Sequence, residues 1–305
     1  MRKSVSLVAS MTLAVLVACV AAALTAGPGS GQTRAATLVG AGDIASCSQS
    51  HDSATARLLG NIPGTVFTLG DNVYPRGTAA YFRDCYDPTW GKHKKRTKPS
   101  VGNHEYYDAN YNMTTDAGPY FNYFGWRAGG RGKGYYSYDR GAWHIVVLNS
   151  NCGMVGGCGR RSPQGRWLRR NLANNPSRCT MAYFHRPLYS TGTSVAGPKV
   201  RPFWRMLHDR KADLIVNGHA HRYERFAPMT PNGTRSANGI REIVAGTGGA
   251  EGGGEISRED APNLQRVKVG TYGVLKLSLR SESYAWKFVR ASGKEFTDSG
   301  TTDCH

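Results

Sequence analysis

Five stretches of this 305-residue chain follow one pattern. An apolar run ends in a turn rich in Gly or Asn, and the turn presents a residue type that ligates metals. The stretches are Gly42-Asp43, Gly70-Asp71-Asn72-Val73-Tyr74, Gly102-Asn103-His104-Glu105, Phe184-His185 and Gly218-His219-Ala220-His221. Each is weak alone. Gly-Asp is an ordinary turn dipeptide, and a lone Asp43 or Asp71 reads equally as a capping residue. His185, before Arg186-Pro187, reads equally as a structural histidine. His219-Ala220-His221 is stronger, because alternate residues of an extended segment point the same way. Together they require several strands whose carboxyl ends gather in one place, which is where open α/β sheets bind ligands. Rigid strands position such residues, and loops let them converge.

The hydropathy pattern supplies those strands. Apolar, β-branched runs at Thr37–Gly42, Thr65–Leu69, Thr97–Val101, Tyr135–Tyr138, Trp143–Leu148, Met181–Phe184, Leu214–Val216, Ile240–Ala245, Tyr272–Leu279 and Ser283–Val289 predict strands. Ser53–Leu59, Pro163–Leu172 and Val200–Arg210 predict helices, with Pro202 in the first turn of the last. Strands alternate with helices early and dominate later, which predicts an α/β fold with mixed sheets.

The N-terminus has the order of a secretory leader. Arg2 and Lys3 precede an apolar core from Leu13 to Leu24, with small residues around Ala23–Gly27. That core is short for a bilayer span of about 20 residues. The expected organisation is a signal peptide over 1–26, a small-residue linker over 27–36 and one catalytic domain over 37–305. Leu16-Val17-Ala18-Cys19 also has the form of a bacterial lipobox, so lipidation at Cys19 is the competing fate. Loss of the leader lowers the net charge from +18 to +16 and leaves six of the seven cysteines. An even number in an exported chain implies disulfides, and six cysteines permit 15 pairings. Cys152 and Cys158 flank a Gly-rich pentapeptide and suit a small loop; Cys47–Cys85 and Cys179–Cys304 are the expected remaining pairs. No C-x-x-C pair supports a zinc site.

Taken in order, the five blocks resemble the calcineurin-like metallophosphoesterase superfamily, and they run from Asp43 to His221, most of the mature chain. The resemblance implies two mixed β-sheets packed as a sandwich between helices, a four-layer αββα arrangement. One departure refines it. The superfamily places His two residues after the first Asp, and here that position is Ala45. Tyr74, three residues after Asp71, stands in its place, as in the purple acid phosphatases of the small single-domain type. No stretch before Asp43 is long enough for a separate β-sandwich of ~100 residues.

Position by position, the resemblance implies a first metal, Fe(III), held by Asp43, Asp71, Tyr74 and His221. It implies a second, Fe(II), Zn(II) or Mn(II), held by Asp71, Asn103, His185 and His219. A phenol with a pKa of about 10 needs a strongly acidic cation to ionise, which Fe(III) provides. His104 is the implied general acid; Glu105 either orients it or is a solvated turn residue. The implied reaction is hydrolysis of phosphate monoesters by a metal-bound hydroxide.

Two other functions compete: a phosphodiesterase or nuclease of the same superfamily, and an exported, non-catalytic polyanion-binding protein. A small phosphate ester is the expected partner, with no specific nucleic acid and no stable membrane association unless Cys19 is lipidated; the expected location is extracellular. The basic run Lys92–Lys98 is expected to be a solvated surface placed to steer anions. Gly246–Gly254 lacks a nucleotide-binding signature and is expected to be a flexible loop near the site. His51, His93, His144, His208 and His305 are assigned no catalytic role.

Overall fold

Trp143–Val147 is buried along its whole length, although its side chains alternate between two faces. Ile145 and Val147 point into one apolar cluster, and Val146 into another. A strand apolar on both faces must be covered on both, which demands a layered architecture. A computed structural model describes residues 1, 4, 35–192, 197–293 and 296–305 of the chain. The expected leader, Cys19 and residues 27–34 of the linker lie outside the described residues. Thr33–His305 form one unit.

That unit contains the expected pair of mixed sheets. The first has six strands in the spatial order Ser299–Asp303, Ser283–Arg290, Gly273–Leu279, Ala36–Ala41, Thr65–Thr68 and Thr97–Lys98. Ala36–Ala41, Thr65–Thr68 and Thr97–Lys98 run parallel, and the others antiparallel. The second has seven strands, Leu264–Val269, Arg222–Phe226, Arg241–Ala245, Leu214–Asn217, Cys179–Phe184, Trp143–Val147 and Tyr136–Arg140. Its four central strands are parallel.

Leu38, Phe67, Leu275 and Leu277 of the first sheet meet Ile145, Met181, Leu214 and Ile243 of the second in a shared core. Outside the second sheet, Leu168 and Leu172 of the helix Pro163–Asn174 and Phe203, Trp204 and Leu207 of the helix Arg201–His208 cover Val146, Ala182 and Ile215. Outside the first, Leu59 of the helix His51–Asn61 and Tyr120 and Phe124 of the helix Gly118–Phe124 cover Val39, Val66 and Val274. The layers are therefore helix, sheet, sheet, helix. Each fully buried aliphatic side chain contributes about 1.5–3 kcal/mol.

Local sequence explains the ends of these elements. The helix Pro163–Asn174 starts with Pro163 at its first position and with Ser162 Oγ accepting from Gly165 N at 3.0 Å. The strand expected over Thr97–Val101 is only Thr97–Lys98, because Pro99 has no N–H for the ladder. Arg222–Phe226, Leu264–Val269 and Ser299–Asp303 are strands that apolar alternation did not predict; they are polar or short. The basic run Lys92–Lys98 is partly structural. Arg96 donates to Leu59 O, to Ile62 O at 3.0 Å and to Gly64 O at 2.8 Å, closing the end of the first helix.

Disulfides join Cys47 to Cys85, Cys152 to Cys158 and Cys179 to Cys304. Cys179 and Cys304 also lie near Asp213, but both sulfurs are tied to each other rather than free for a metal. Among the described residues, no helix is long and apolar enough to cross a membrane.

Candidate metal centre

All five blocks sit where a parallel strand or its continuation ends. Ala36–Ala41 leads to Asp43, Thr65–Thr68 to Asp71, Thr97–Lys98 to Asn103, Cys179–Phe184 to His185, and Leu214–Asn217 to His219 and His221. Asp43, Asp71, His219 and His221 have positive φ, between 47° and 71°. Such backbone costs about 1–3 kcal/mol per residue and persists where the surroundings enforce it. Glycines supply the closeness. A Cβ at Gly102 would lie 2.1 Å from Asp71 Oδ1, and one at Gly218 would lie 2.7 Å from Asp43 Oδ2.

Tyr74 reaches the centre through a two-residue parallel ladder. Ala45 pairs with Val73, and Ser46 with Tyr74. The segment that carries Ala45 thus positions Tyr74. Tyr74 OH lies 2.8 Å from Asp43 Oδ1, 3.0 Å from Asp71 Oδ2 and 2.9 Å from His221 Nε2. A second group shares Asp71. His185 Nε2 lies 3.0 Å from Asp71 Oδ2, 3.0 Å from Asn103 Oδ1 and 3.0 Å from His219 Nδ1.

Neither group is a closed hydrogen-bond network. One phenol hydrogen faces two carboxylate oxygens and an imidazole nitrogen. The neutral His185 ring keeps its proton on Nδ1, donated to Leu69 O at 2.8 Å, so its Nε2 has no hydrogen to offer Asp71 Oδ2, Asn103 Oδ1 or His219 Nδ1. Buried lone pairs directed at one another suit a cation between them. The donor set fits two ions: oxygen-rich at Asp43, Tyr74 and Asp71, and mixed oxygen and imidazole at Asn103, His185 and His219. His185 Nδ1 and His221 Nδ1 are both anchored on carbonyls, Leu69 O and Glu251 O, which leaves each Nε2 for the centre.

The electrostatics agree. Burial opposes ionisation of Asp71, but the neighbouring His185 and His104 outweigh it and hold its carboxyl far below the usual range. Burial likewise opposes ionisation of Asp43, and His221 outweighs it. Burial also opposes protonation of His221, yet Asp43 draws the imidazole up to about 9. His219, pressed by burial and by His185 and Arg186, falls to about 3 and stays a neutral donor. Burial and the two carboxylates push the Tyr74 phenol well above its ordinary value. Only a strongly acidic cation would ionise it.

His104 stands at the edge of the centre. It donates from Nδ1 to Pro75 O at 2.7 Å, and its ring packs on Tyr74 at 4.4 Å between centroids. Its Nε2 is 3.8 Å from Asp71 Oδ2 and the side chain is 29% exposed, so that nitrogen is open to the cleft. Glu105 departs from both expectations. It neither bonds the His104 ring nor sits in solvent. Its buried carboxylate accepts from Asp71 N at 3.1 Å, Asn72 N at 2.7 Å and Gly102 N at 2.6 Å, clasping two of the ligand-bearing loops. The Gly-rich stretch is near the site as expected, and it is tied down: Gly248 N donates to Gly42 O, Ala250 N donates to Asp43 O, and Glu251 O receives His221.

Arg186 is the residue the sequence reading missed. Its guanidinium lies 2.6 Å from His219 Nε2 and 3.2 Å from Asn103 Oδ1. It also lines a cavity of about 480 Å³ that opens beside Asn103, with Tyr107, Met113, Met154 and Lys199 on its walls. The available signal was its position directly after His185. His144 is remote from the centre; its ring nitrogens lie 2.8 Å from Asp139 and Asn171.

Comparison with known proteins agrees with this geometry. The family model for calcineurin-like phosphoesterases matches residues 37–223. Probable purple acid phosphatase 20 of Arabidopsis thaliana is 25% identical over 165 residues, covering 51% of this chain and 38% of that protein. Phosphoenolpyruvate phosphatase of Allium cepa is 28% identical over 169 residues, covering 50% of this chain and 34% of that protein. The chain thus spans between a third and two-fifths of these relatives' lengths. In fold, it resembles purple acid phosphatase PPD1 from yellow lupin (Lupinus luteus) seeds, with a TM-score of 0.69 at 20% identity, covering 89% of this chain and 54% of that one. GAP50 of Plasmodium gives a TM-score of 0.67 at 14% identity, covering 89% and 90%. With its strands, ligand-type side chains and family match in register, the chain belongs to the calcineurin-like phosphoesterases and is similar to their purple acid phosphatases.

Proposed function

We propose that this chain is an exported phosphatase that hydrolyses phosphate monoesters at a binuclear metal centre. The observation that carries the reading is Asp71 Oδ2, which lies 3.0 Å from both Tyr74 OH and His185 Nε2. One carboxylate oxygen shared by two donor groups suits a residue that would serve both ions. Asp43, Asp71, Tyr74 and His221 would hold the first ion, and Asp71, Asn103, His185 and His219 would hold the second. Fe(III) suits the phenol-bearing site; Fe(II), Zn(II) or Mn(II) suits the other. When bound, such ions neutralise the phosphate oxygens and acidify the attacking water.

The chain's own residues do the rest. His104 is fixed at Nδ1 by Pro75 O, so its protonated form presents Nε2–H to the leaving oxygen and gives up that proton as the ester bond breaks. General acids of this kind contribute about 10²–10⁴-fold. Arg186 offers N–H donors to the phosphate from the second-ion side. The adjacent cavity takes the leaving group. Glu105 keeps the Asp71 and Gly102 loops in register and touches no reacting atom. The leader over 1–26 and the catalytic domain over 37–305 remain the proposed organisation, and the disulfides suit an oxidising exterior.

The test is turnover of p-nitrophenyl phosphate against bis(p-nitrophenyl) phosphate by the metal-loaded protein. The monoester is expected to be favoured at least ~10-fold in kcat/KM, about 1.4 kcal/mol of barrier. A preference for the diester would replace this reading with the phosphodiesterase, and turnover of neither by protein containing two ions would favour the non-catalytic binder.

A further inference from the structure

The helices outside the second sheet carry a face of one charge. Arg166, Arg169 and Arg170 project from Pro163–Asn174 at helical spacing, and that helix contains no Asp or Glu. Like charges three and four residues apart destabilise a helix. Surfaces that serve only solubility mix both signs. These three side chains, with Arg160 and Arg210, line a cavity of about 650 Å³. A second cavity of about 380 Å³ shares Asp209 and Arg210 with the first and adds Arg178 and Lys211. All seven cationic residues are exposed. The single acidic side chain among the lining residues is Asp209, which pairs with Arg160 at 3.6 Å. The two cavities adjoin at Asp209 and Arg210 and together make a basic groove, and none of their lining residues belongs to the metal centre.

The groove's chemistry narrows its ligand. Six of the seven cations are arginines, whose planar fork matches phosphate oxygens bidentately. Two adjoining cavities suit an extended ligand better than a single ion. No Phe, Tyr or Trp lines either cavity, so bases would find no stacking platform of the kind that single-stranded nucleic acid requires. We infer that this groove binds a linear, base-free polyphosphate-type polyanion. The inference does not depend on the proposed catalysis.

Linear sodium polyphosphate is the probe, with oligo-dT and polyglutamate at matched charge as comparators. The wild-type protein should bind polyphosphate more tightly than either comparator, with an affinity that falls steeply with salt. The triple variant R166E/R169E/R170E should weaken it at least ~10-fold. Its log affinity against log salt should be shallower by about 2, from three lost contacts at about 0.7 each. Turnover of p-nitrophenyl phosphate should be unchanged. If the triple variant fails to fold, Arg210→Glu alone should weaken polyphosphate binding by a smaller factor. Unchanged polyphosphate affinity in a folded variant overturns the inference. So does oligo-dT or polyglutamate bound as tightly as polyphosphate.

Discussion

Asp71 and Asp298 are both buried carboxylates, and their surroundings are opposite. Asp298 is met by donors: Tyr223 OH at 2.6 Å, Arg225 Nε at 2.7 Å, a second Arg225 nitrogen at 3.0 Å and Trp286 Nε1 at 3.2 Å. Tyr223 and Arg225 belong to the second sheet and Trp286 to the first, so this cluster clasps the sandwich. Asp71 is met mainly by atoms that also need a proton or a cation: Tyr74 OH, His185 Nε2 and, through them, Asp43, Asn103 and His219. A buried charge whose partners are matched holds a fold together. A buried charge whose partners compete marks a place for something from outside.

The comparison breaks if the two aspartates respond alike. Asp71→Asn should lower kcat/KM by about 10³-fold or more, roughly 4 kcal/mol of barrier, and should empty at least one metal site by elemental analysis. Metal content and turnover, not stability, separate the two sites: the histidines that hold the Asp71 carboxyl low also make its loss costly to the metal-free fold. His104→Ala should retain both ions and lose about 10²–10³-fold in turnover, most for poor leaving groups. An equal loss across leaving groups would remove it as the acid. Arg186→Ala should raise KM about 10-fold with a smaller change in kcat, the cost of a charge-assisted hydrogen bond to phosphate.

Asp298→Asn should spare activity. It should cost about 1–3 kcal/mol in denaturant unfolding with kcat within about two-fold of wild type. Its pH dependence follows from the same contacts. Burial opposes ionisation of Asp298, but the hydrogen bonds of Arg225 and Tyr223 hold its carboxyl below the ordinary 3.8. The stabilisation is complete above that value and is lost as pH falls from there through the lower native value. Acid unfolding curves of wild type and Asp298→Asn should therefore converge below about pH 4.

Much of the candidate centre's placement was legible in the sequence because strands and turns localise it. A Gly-Asp or Gly-Asn turn after an apolar run fixes both the strand end and the polar residue it presents, and the absence at Ala45 pointed to Tyr74. What escaped depends on tertiary context. Arg222–Phe226 reads as polar, yet Arg222 and Glu224 are buried, their charges answered by Thr191 and loop carbonyls. Glu105 looked like a turn residue, and its role depends on three backbone N–H groups, two of them more than 30 positions away. Arg186 carries no periodic signal. The arginine face of Pro163–Asn174 was visible only as net charge until the helix put three residues on one side.

The most direct test of the account is the visible absorption spectrum of the purified protein, read with its metal content. Two ions per chain and a visible charge-transfer band that Tyr74→Phe abolishes are the predicted result. A colourless, active enzyme that contains only zinc or manganese, with Tyr74→Phe indistinguishable from wild type, would contradict the assignment of Tyr74 to an Fe(III) site.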